Sequence, residues 1–398
     1  MNRRDRPVHA LLVGACPYPT QQGSQVYLGG MARALVRAGL DVTIACYGHG
    51  AGGSAPRNAP REIAPVDDVR TRPRDVGPRV VRGARLPGYT RTRSGLDLVK
   101  PWLDLDLARV VAGTSADIVV AHGHEGMLVA LLARGLGRAR QGTPRPIVYT
   151  PHTAFGDELP TYLPTRYEHF MAPVRRGGAA LDDALPRRAD ACLSISGRMD
   201  ALLRVAGARR VVPGRPGIDP DDFRDLRPER PSPPDARWVA YCGNPDVYQD
   251  LPVLAGAMAF LRAEHGPDAP RLVVIGDWPE ADVQALAPEV VVRPRDWVHA
   301  RNVLAGCDAA VIPRTRCAGF PMKLLNQVAL GLPTVIAEGS AQDLPGEMVV
   351  TNHDTRALAE GIERACVAPR VPLQAREEVG WDRTIAPVAA LLRELAPG

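Results

Sequence analysis

Lysine is nearly missing from this chain. Of its 49 basic residues only Lys100 and Lys323 are lysines, so arginine carries almost all the positive charge. Aromatic residues are scarce too, at 5% of 398 residues. The seven cysteines (Cys16, Cys46, Cys192, Cys242, Cys307, Cys317, Cys366) are scattered and show no CxxC spacing. That pattern argues against a disulfide frame or zinc site and for reduced thiols in a cytosolic protein. No run approaches the ~20 apolar residues that span a bilayer. The basic start MNRRDRPVHALLVGAC has too short an apolar stretch for a signal peptide and reads as a first β-strand. A net charge of +5 is small for this length and does not call for nucleic acid. No repeat of solenoid period is present. What remains is a soluble, cytoplasmic protein, with peripheral attachment at the inner membrane face left open.

What is present is an alternation of strand-like and helix-like segments, the pattern of βαβ units on parallel sheets. At 398 residues the chain suits two domains. Strands are expected over 9–16, 41–47, 117–122, 146–150 and 191–195, and 210–213 closes this half. Helices are expected over 23–38, 100–111, 125–135 and 197–206. Residues 51–95, rich in Gly, Pro and Arg, read as an irregular excursion holding a short strand at 78–81. RPERPSPPD (227–235) has the composition of a linker or exposed loop. A second half follows, with strands at 239–242, 272–275, 290–293, 309–312 and 334–337 and helices at 250–264, 282–287, 298–306 and 323–330. The expected division is 1–213, 214–375 and a final helix over 376–398.

Several turns at strand ends carry chemistry. PYPTQQGSQVY (17–27) is a glycine-bearing turn where Gly23 permits close backbone approach and Ser24 is placed to cap the helix. It is either an anion or sugar site or an ordinary capped turn. AHGHEG (121–126) places His122, His124 and Glu125 at a strand end. No third ligand at metal spacing accompanies them, which favours a cleft-facing or structural role over metal. YTPHTAFGDELPTYLP (149–164) sets His152 and Thr153 directly after a buried strand, where a neutral imidazole can exchange hydrogen bonds with a hydroxyl. CGNPDVYQDLPVL (242–254) offers Asn244, Tyr248 and Gln249 as uncharged donors, or is a loop with Asx-turn chemistry. In CAGFPMKLLNQVALGLPTVI (317–336), Gly319, Phe320 and Pro321 lead, through Met322, into a helix that opens with Lys323 and carries Asn326. A lysine ~4 Å from a phosphate oxygen gains about 4 kcal/mol of raw attraction at surface-like dielectric. The helix dipole adds only about 0.3–1 kcal/mol. Arg314 and Arg316, just upstream, are placed to join it; the alternative is a solvated surface lysine.

Together these stretches resemble the retaining glycosyltransferases of family 4. The resemblance rests on the Gly23 turn, the HT pair at 152–153, VVPGRPGIDPDDF (211–223), GFPMKLLNQVALGLPTV and the segment around Trp381. It implies the GT-B fold: α/β, two Rossmann-like doubly wound domains facing a cleft. The N-terminal domain would take the acceptor, the C-terminal domain the donor, and the last helix would cross back to the N-terminal domain. It further implies that His152 contacts the donor sugar, that the Gly23 loop approaches the diphosphate, and that Phe320, Pro321 and Met322 meet the transferred sugar through backbone amides. The chain departs from the family at Ala318 and Asn326, where the family has paired glutamates. It departs again at Asn244 and Gln249, where the family has arginine and lysine. Lys323, with Arg314 or Arg316, is the candidate replacement cation.

The expected reaction is retaining transfer of a sugar from a nucleotide diphosphate sugar, UDP-linked as the first choice, to a hydroxyl acceptor. Lys323 would stabilise the leaving diphosphate and His152 would orient the sugar and stabilise positive charge at its reacting carbon. No cofactor or metal is expected. Two rivals share the architecture. A non-hydrolysing UDP-sugar epimerase would draw its acid and base from Glu125, Asp157 and Glu158. A nucleotide-sugar-binding protein would do no chemistry. The acceptor, whether a glycan, lipid or natural product, would meet the Arg-rich excursion at 57–93.

Overall fold

The computed structural model describes residues 6–19, 23–48, 77–83, 99–141, 144–162, 169–223, 225–317 and 319–397. Most of the Arg-rich excursion, and Ala318, therefore lie outside the described residues. The chain forms two compact units: Met1–Gly217 with Trp381–Gly398, and Ile218–Gly380.

The first unit is built on seven parallel strands: β1 (His9–Gly14), β2 (Asp41–Cys46), β3 (Arg79–Arg82), β4 (Ile118–His122), β5 (Ile147–Thr150), β6 (Ala191–Ser194) and β7 (Val211–Pro213). Their order is β3-β2-β1-β4-β5-β6-β7. Every residue of β4 is buried, as are Ala10–Val13 of β1. Burial on both faces explains why these strands read as unbroken apolar runs instead of alternating ones.

The second unit has six parallel strands: β8 (Trp238–Cys242), β9 (Arg271–Ile275), β10 (Val290–Val292), β11 (Ala309–Ile312), β12 (Thr334–Ala337) and β13 (Glu347–Val350). Their order is β10-β9-β8-β11-β12-β13. One face packs Val239, Tyr241 and Val274 against Leu254, Met258 and Leu358. The other packs Trp238, Ala240 and Ile275 against Val303 and Leu304.

In both sheets the chain runs outward one way and then reverses: between β1 and β4 in the first, between β8 and β11 in the second. Crevices that hold ligands in open parallel sheets form at the carboxyl ends of strands beside such a reversal. The residues after β4, β5, β8 and β11 are therefore the ones to inspect.

Three structural findings go beyond the expected elements. A 14-residue helix, Met171–Ala184, stands where no element was expected. Its MAPVRRGGAALDDA sequence holds a proline and two glycines, poor helix formers, yet tertiary packing overrides that. A Cβ on Gly178 would come within 2.7 Å of Gly156 Cα, so glycine is what lets the two segments meet. RPERPSPPD is a mostly exposed loop, one of its two readings, and it is tied down. Arg230 donates to Gly306 O, Ala236 O and the Asp308 carboxylate, tying the stretch to the second unit. Last, Glu347–Val350 and the helix Thr355–Val367 extend the second unit beyond the expected elements.

Candidate functional site

In the second unit, the ends of β8 and β11 carry the charge. Lys323 is the second residue of the helix Met322–Ala329. Its side chain runs back to β8, where Nζ donates to Tyr241 Oη at 3.2 Å and Gln249 Oε1 at 2.9 Å. The ammonium also lies 4.4 Å from the centre of the Tyr241 ring, in cation–π contact. A Cβ on Gly243 would sit 2.9 Å from Nζ, and Gly243 has φ of +152°. The backbone conformation calls for glycine there, and a side chain would push the lysine tip aside.

Gln249 and Asn244 are not free donors. The Gln249 carbonyl is taken by Lys323, and its amide nitrogen donates to Asn244 Oδ1 at 3.2 Å. Asn244 in turn donates to the Asp246 carboxylate and to Tyr248 Oη. The amides thus form a relay from Asp246 to the ammonium, each group's donor facing the next group's acceptor. Burial pulls the Lys323 pKa down to about 8. Arg314 lowers it further, while Cys242, Cys317 and Asp246 oppose the shift. A cation held that way is poised to gain from an anionic ligand, which would restore its ordinary pKa.

Arg314 follows β11, its guanidinium 4.7 Å from the centre of the Tyr248 ring and its Nε on Arg316 O. Arg316 itself is exposed. The Arg314 backbone is fixed from both sides, because Ser340 Oγ donates to its carbonyl and Thr315 N and Oγ1 donate to Asp250. Gly319 and Pro321 are buried, and Phe320 and Met322 pack on the cluster of Ile312, Leu324 and Val328. The helix start is thereby anchored with Pro321 as its cap residue, leaving first-turn N–H groups without intrahelical partners. The Asn326 side chain makes no hydrogen bond to a described residue. Next to it Gln327 is fully buried, and neither atom of its amide finds a partner among the described residues.

In the first unit the chemistry differs. His122, the last residue of β4, and His152, two residues past β5, face each other with Nδ1 of His122 3.2 Å from Nε2 of His152. Burial lowers both pKa values: His152 to about 4, with His124 adding to the effect, and His122 well below its ordinary value, with His152 adding. Tyr27 packs edge-on to His152 at 5.4 Å and stacks on Trp381 at 5.8 Å, and its hydroxyl donates to Gly214 O. His124 hydrogen-bonds Asp182 at 2.8 Å and stacks on Phe155. Asp182 also accepts from the N–H groups of Phe155 and Gly156. One carboxylate therefore ties the 153–156 loop to the Met171–Ala184 helix and to the end of β4. Thr153 is half-buried and its side chain bonds no described residue. Glu125 lies 3.7 Å from Lys100, whose Nζ donates to Tyr47 Oη.

Gly23 is the first residue of the helix Gly23–Arg37, and residues 20–22 lie outside the described residues. Ser24 is inside the helix and donates to Gln25 Oε1, so it is not the helix cap. Asp157 is exposed and lies 3.6 Å from Arg198. Among the described residues no three of His, Cys, Asp or Glu are placed to hold a metal ion. Sequence reasoning missed Tyr241, Asp182, Tyr27 and the relay. Only Asp182 left a trace, as the acidic pair in ALDDAL, and that is meaningless until the helix around it is recognised.

A glycosyl transferase 4-like domain model matches residues 22–217, and a glycosyl transferases group 1 model matches residues 236–366. Both halves of the chain are glycosyltransferase domains. None of the curated proteins matches the chain by sequence. Among solved structures, these glycosyltransferase domains are similar to sucrose-phosphate synthase from Thermosynechococcus elongatus, with 17% identity, TM-score 0.69, and 98% and 99% of the two chains covered. They are similar also to α,α-trehalose-phosphate synthase (UDP-forming) from Burkholderia vietnamiensis (14%, TM-score 0.64, 98% and 99% covered). A third is Anabaena HepE in complex with UDP and glucose (15%, TM-score 0.56, 97% and 94% covered). At such identities the likeness establishes fold, and the fold is GT-B. No helix among the described residues is long and apolar enough to cross a membrane.

Proposed function

We propose that the protein transfers a sugar from a nucleotide diphosphate sugar to a hydroxyl acceptor with retention of anomeric configuration, and that the second unit binds the donor through Lys323. The observation that carries this reading is the placement of the ammonium. The family cations expected after β8 are absent, and the Lys323 Nζ lies 2.9 Å from Gln249, the residue that stands at one of those positions. The cation has changed element while keeping its place beside β8. Arg314, across the strand reversal, is the second cation, and Asn326 is the hydroxyl-binding side chain for the ribose. Phe320, Pro321 and Met322 present backbone to the transferred sugar.

As the sugar–oxygen bond breaks, negative charge grows on the diphosphate, and a preorganised ammonium stabilises that charge more than it stabilises the ground state. The acceptor hydroxyl approaches on the face the diphosphate leaves, and the leaving phosphate takes its proton. No protein base is needed on that route. UDP is favoured as the nucleotide because four similar solved structures, of two proteins, carry UDP or a UDP-sugar. The protein works without cofactor, in the cytoplasm, on an acceptor that is a glycan, lipid or natural product. A thermal-shift screen over UDP-, GDP- and dTDP-sugars tests the reading: a UDP-sugar should raise the melting temperature. No response to any of the three classes, or sugar interconversion without acceptor, would overturn it.

A further inference from the structure

His122 and His152 share one hydrogen bond, and burial keeps both rings uncharged at neutral pH. With one proton between the two facing nitrogens, two arrangements exist. Either His122 donates from Nδ1 and keeps a bare lone pair on Nε2, or His152 donates from Nε2 and His122 carries its own proton on Nε2. The surroundings distinguish them. His122 is 4% exposed, and its Nε2 meets no partner among the described residues. Thr150, the neighbour of His122 in the β4–β5 register, has a buried hydroxyl that is likewise unpartnered, so it does not accept from that nitrogen. A buried N–H without an acceptor forfeits its bond to water, and such orphans are rarer in native proteins than under-used acceptors.

We infer that His122 donates from Nδ1 and thereby fixes His152 as the tautomer protonated on Nδ1. His122 is a positioning residue: it sets which nitrogen of its neighbour holds the proton, as the partner of one imidazole nitrogen does generally. Tyr27, edge-on to His152 at 82°, restrains the ring plane. No described residue hydrogen-bonds to His152 Nδ1, and the side chain is half-buried. What it presents is a neutral N–H donor, a match for a hydroxyl, ring or carboxylate oxygen. A donor of that kind holds an oxygen in place and does not stabilise a cationic carbon, which narrows the role of His152 to orientation. The ligand contact rests on the donor-sugar reading above; the tautomer does not.

The test is long-range 1H–15N NMR of the full chain labelled with 15N-histidine, at pH 7 and without ligand, the His152 signals being assigned by their loss in His152→Gln. The expected spectrum shows His152 with Nδ1 protonated and Nε2 bare. His122→Gln, which can still donate to His152 Nε2, should preserve that pattern; His122→Leu should release it to a mixture. A proton on His152 Nε2 in the unaltered protein overturns the inference, as does His122→Leu with unchanged His152 signals. Should His122→Leu fail to fold, the unaltered protein decides alone. Loss of UDP-sugar binding with the tautomer intact counts against the glycosyltransferase reading and leaves this inference standing.

Discussion

The two units share a plan and differ in chemistry. Each is a parallel sheet that reverses direction once, and each gathers its polar side chains at strand ends beside the reversal. In the first unit those side chains are imidazoles driven neutral by burial and paired with each other. In the second they are Lys323 and Arg314, cations resting on aromatic rings and, for Lys323, on an amide relay. The lesson is that the frame fixes where a ligand can sit while the side chains decide its charge. One site suits uncharged hydroxyls, the other an anion.

That contrast can be broken most severely at Lys323. Lys323→Ala should lower kcat/KM on the order of 100-fold, about 2.8 kcal/mol, with Lys323→Arg retaining part of it; steady-state kinetics with a UDP-sugar checks this. Asp182→Ala should destabilise the first unit by about 3 kcal/mol, because two backbone N–H groups and an imidazole lose a charged acceptor. Calorimetry would show the lowered melting temperature, and Asp182→Asn should recover part of it. Gly243→Ala should cost about 1–3 kcal/mol of strain and displace the ammonium, weakening donor binding near tenfold in a titration.

Gln249→Glu sharpens the comparison further. A carboxylate in place of the amide favours the charged lysine, so the alkaline limb of donor binding, expected near pH 8 from the Lys323 pKa, should move upward. An unmoved limb means that another group titrates there. Acid stability offers a further test of the first unit. The His152 pKa of about 4 in the folded protein lies below the ~6.5 of an unfolded histidine. The unfolded chain therefore takes up the proton first, and stability falls as pH drops from about 6.5 toward 4. His152→Gln should flatten that slope in urea melts between pH 4 and 7.

Much of this was legible from residue order. The strands read well because burial on both faces makes them continuous apolar runs; His152 stood out because Pro151 and a strand end precede it, and Lys323 because a Gly-Phe-Pro turn leads into its helix. The Met171–Ala184 helix did not, since its glycines serve close packing on Gly156 and weaken helical periodicity. The role of Gln249 was hidden for another reason. Which way a side chain 74 residues distant reaches is set by tertiary structure, and from sequence Gln249 looked like a lost cation when it is the new cation's support.

The account rests on the charge of one ammonium, and calorimetric titration of UDP into Lys323→Met at pH 7 tests it directly. Methionine keeps the length and apolar stem and removes the charge. Binding should weaken by about 30-fold or more, roughly 2 kcal/mol, with the fold intact by circular dichroism. UDP affinity equal to that of the unaltered protein would contradict the account.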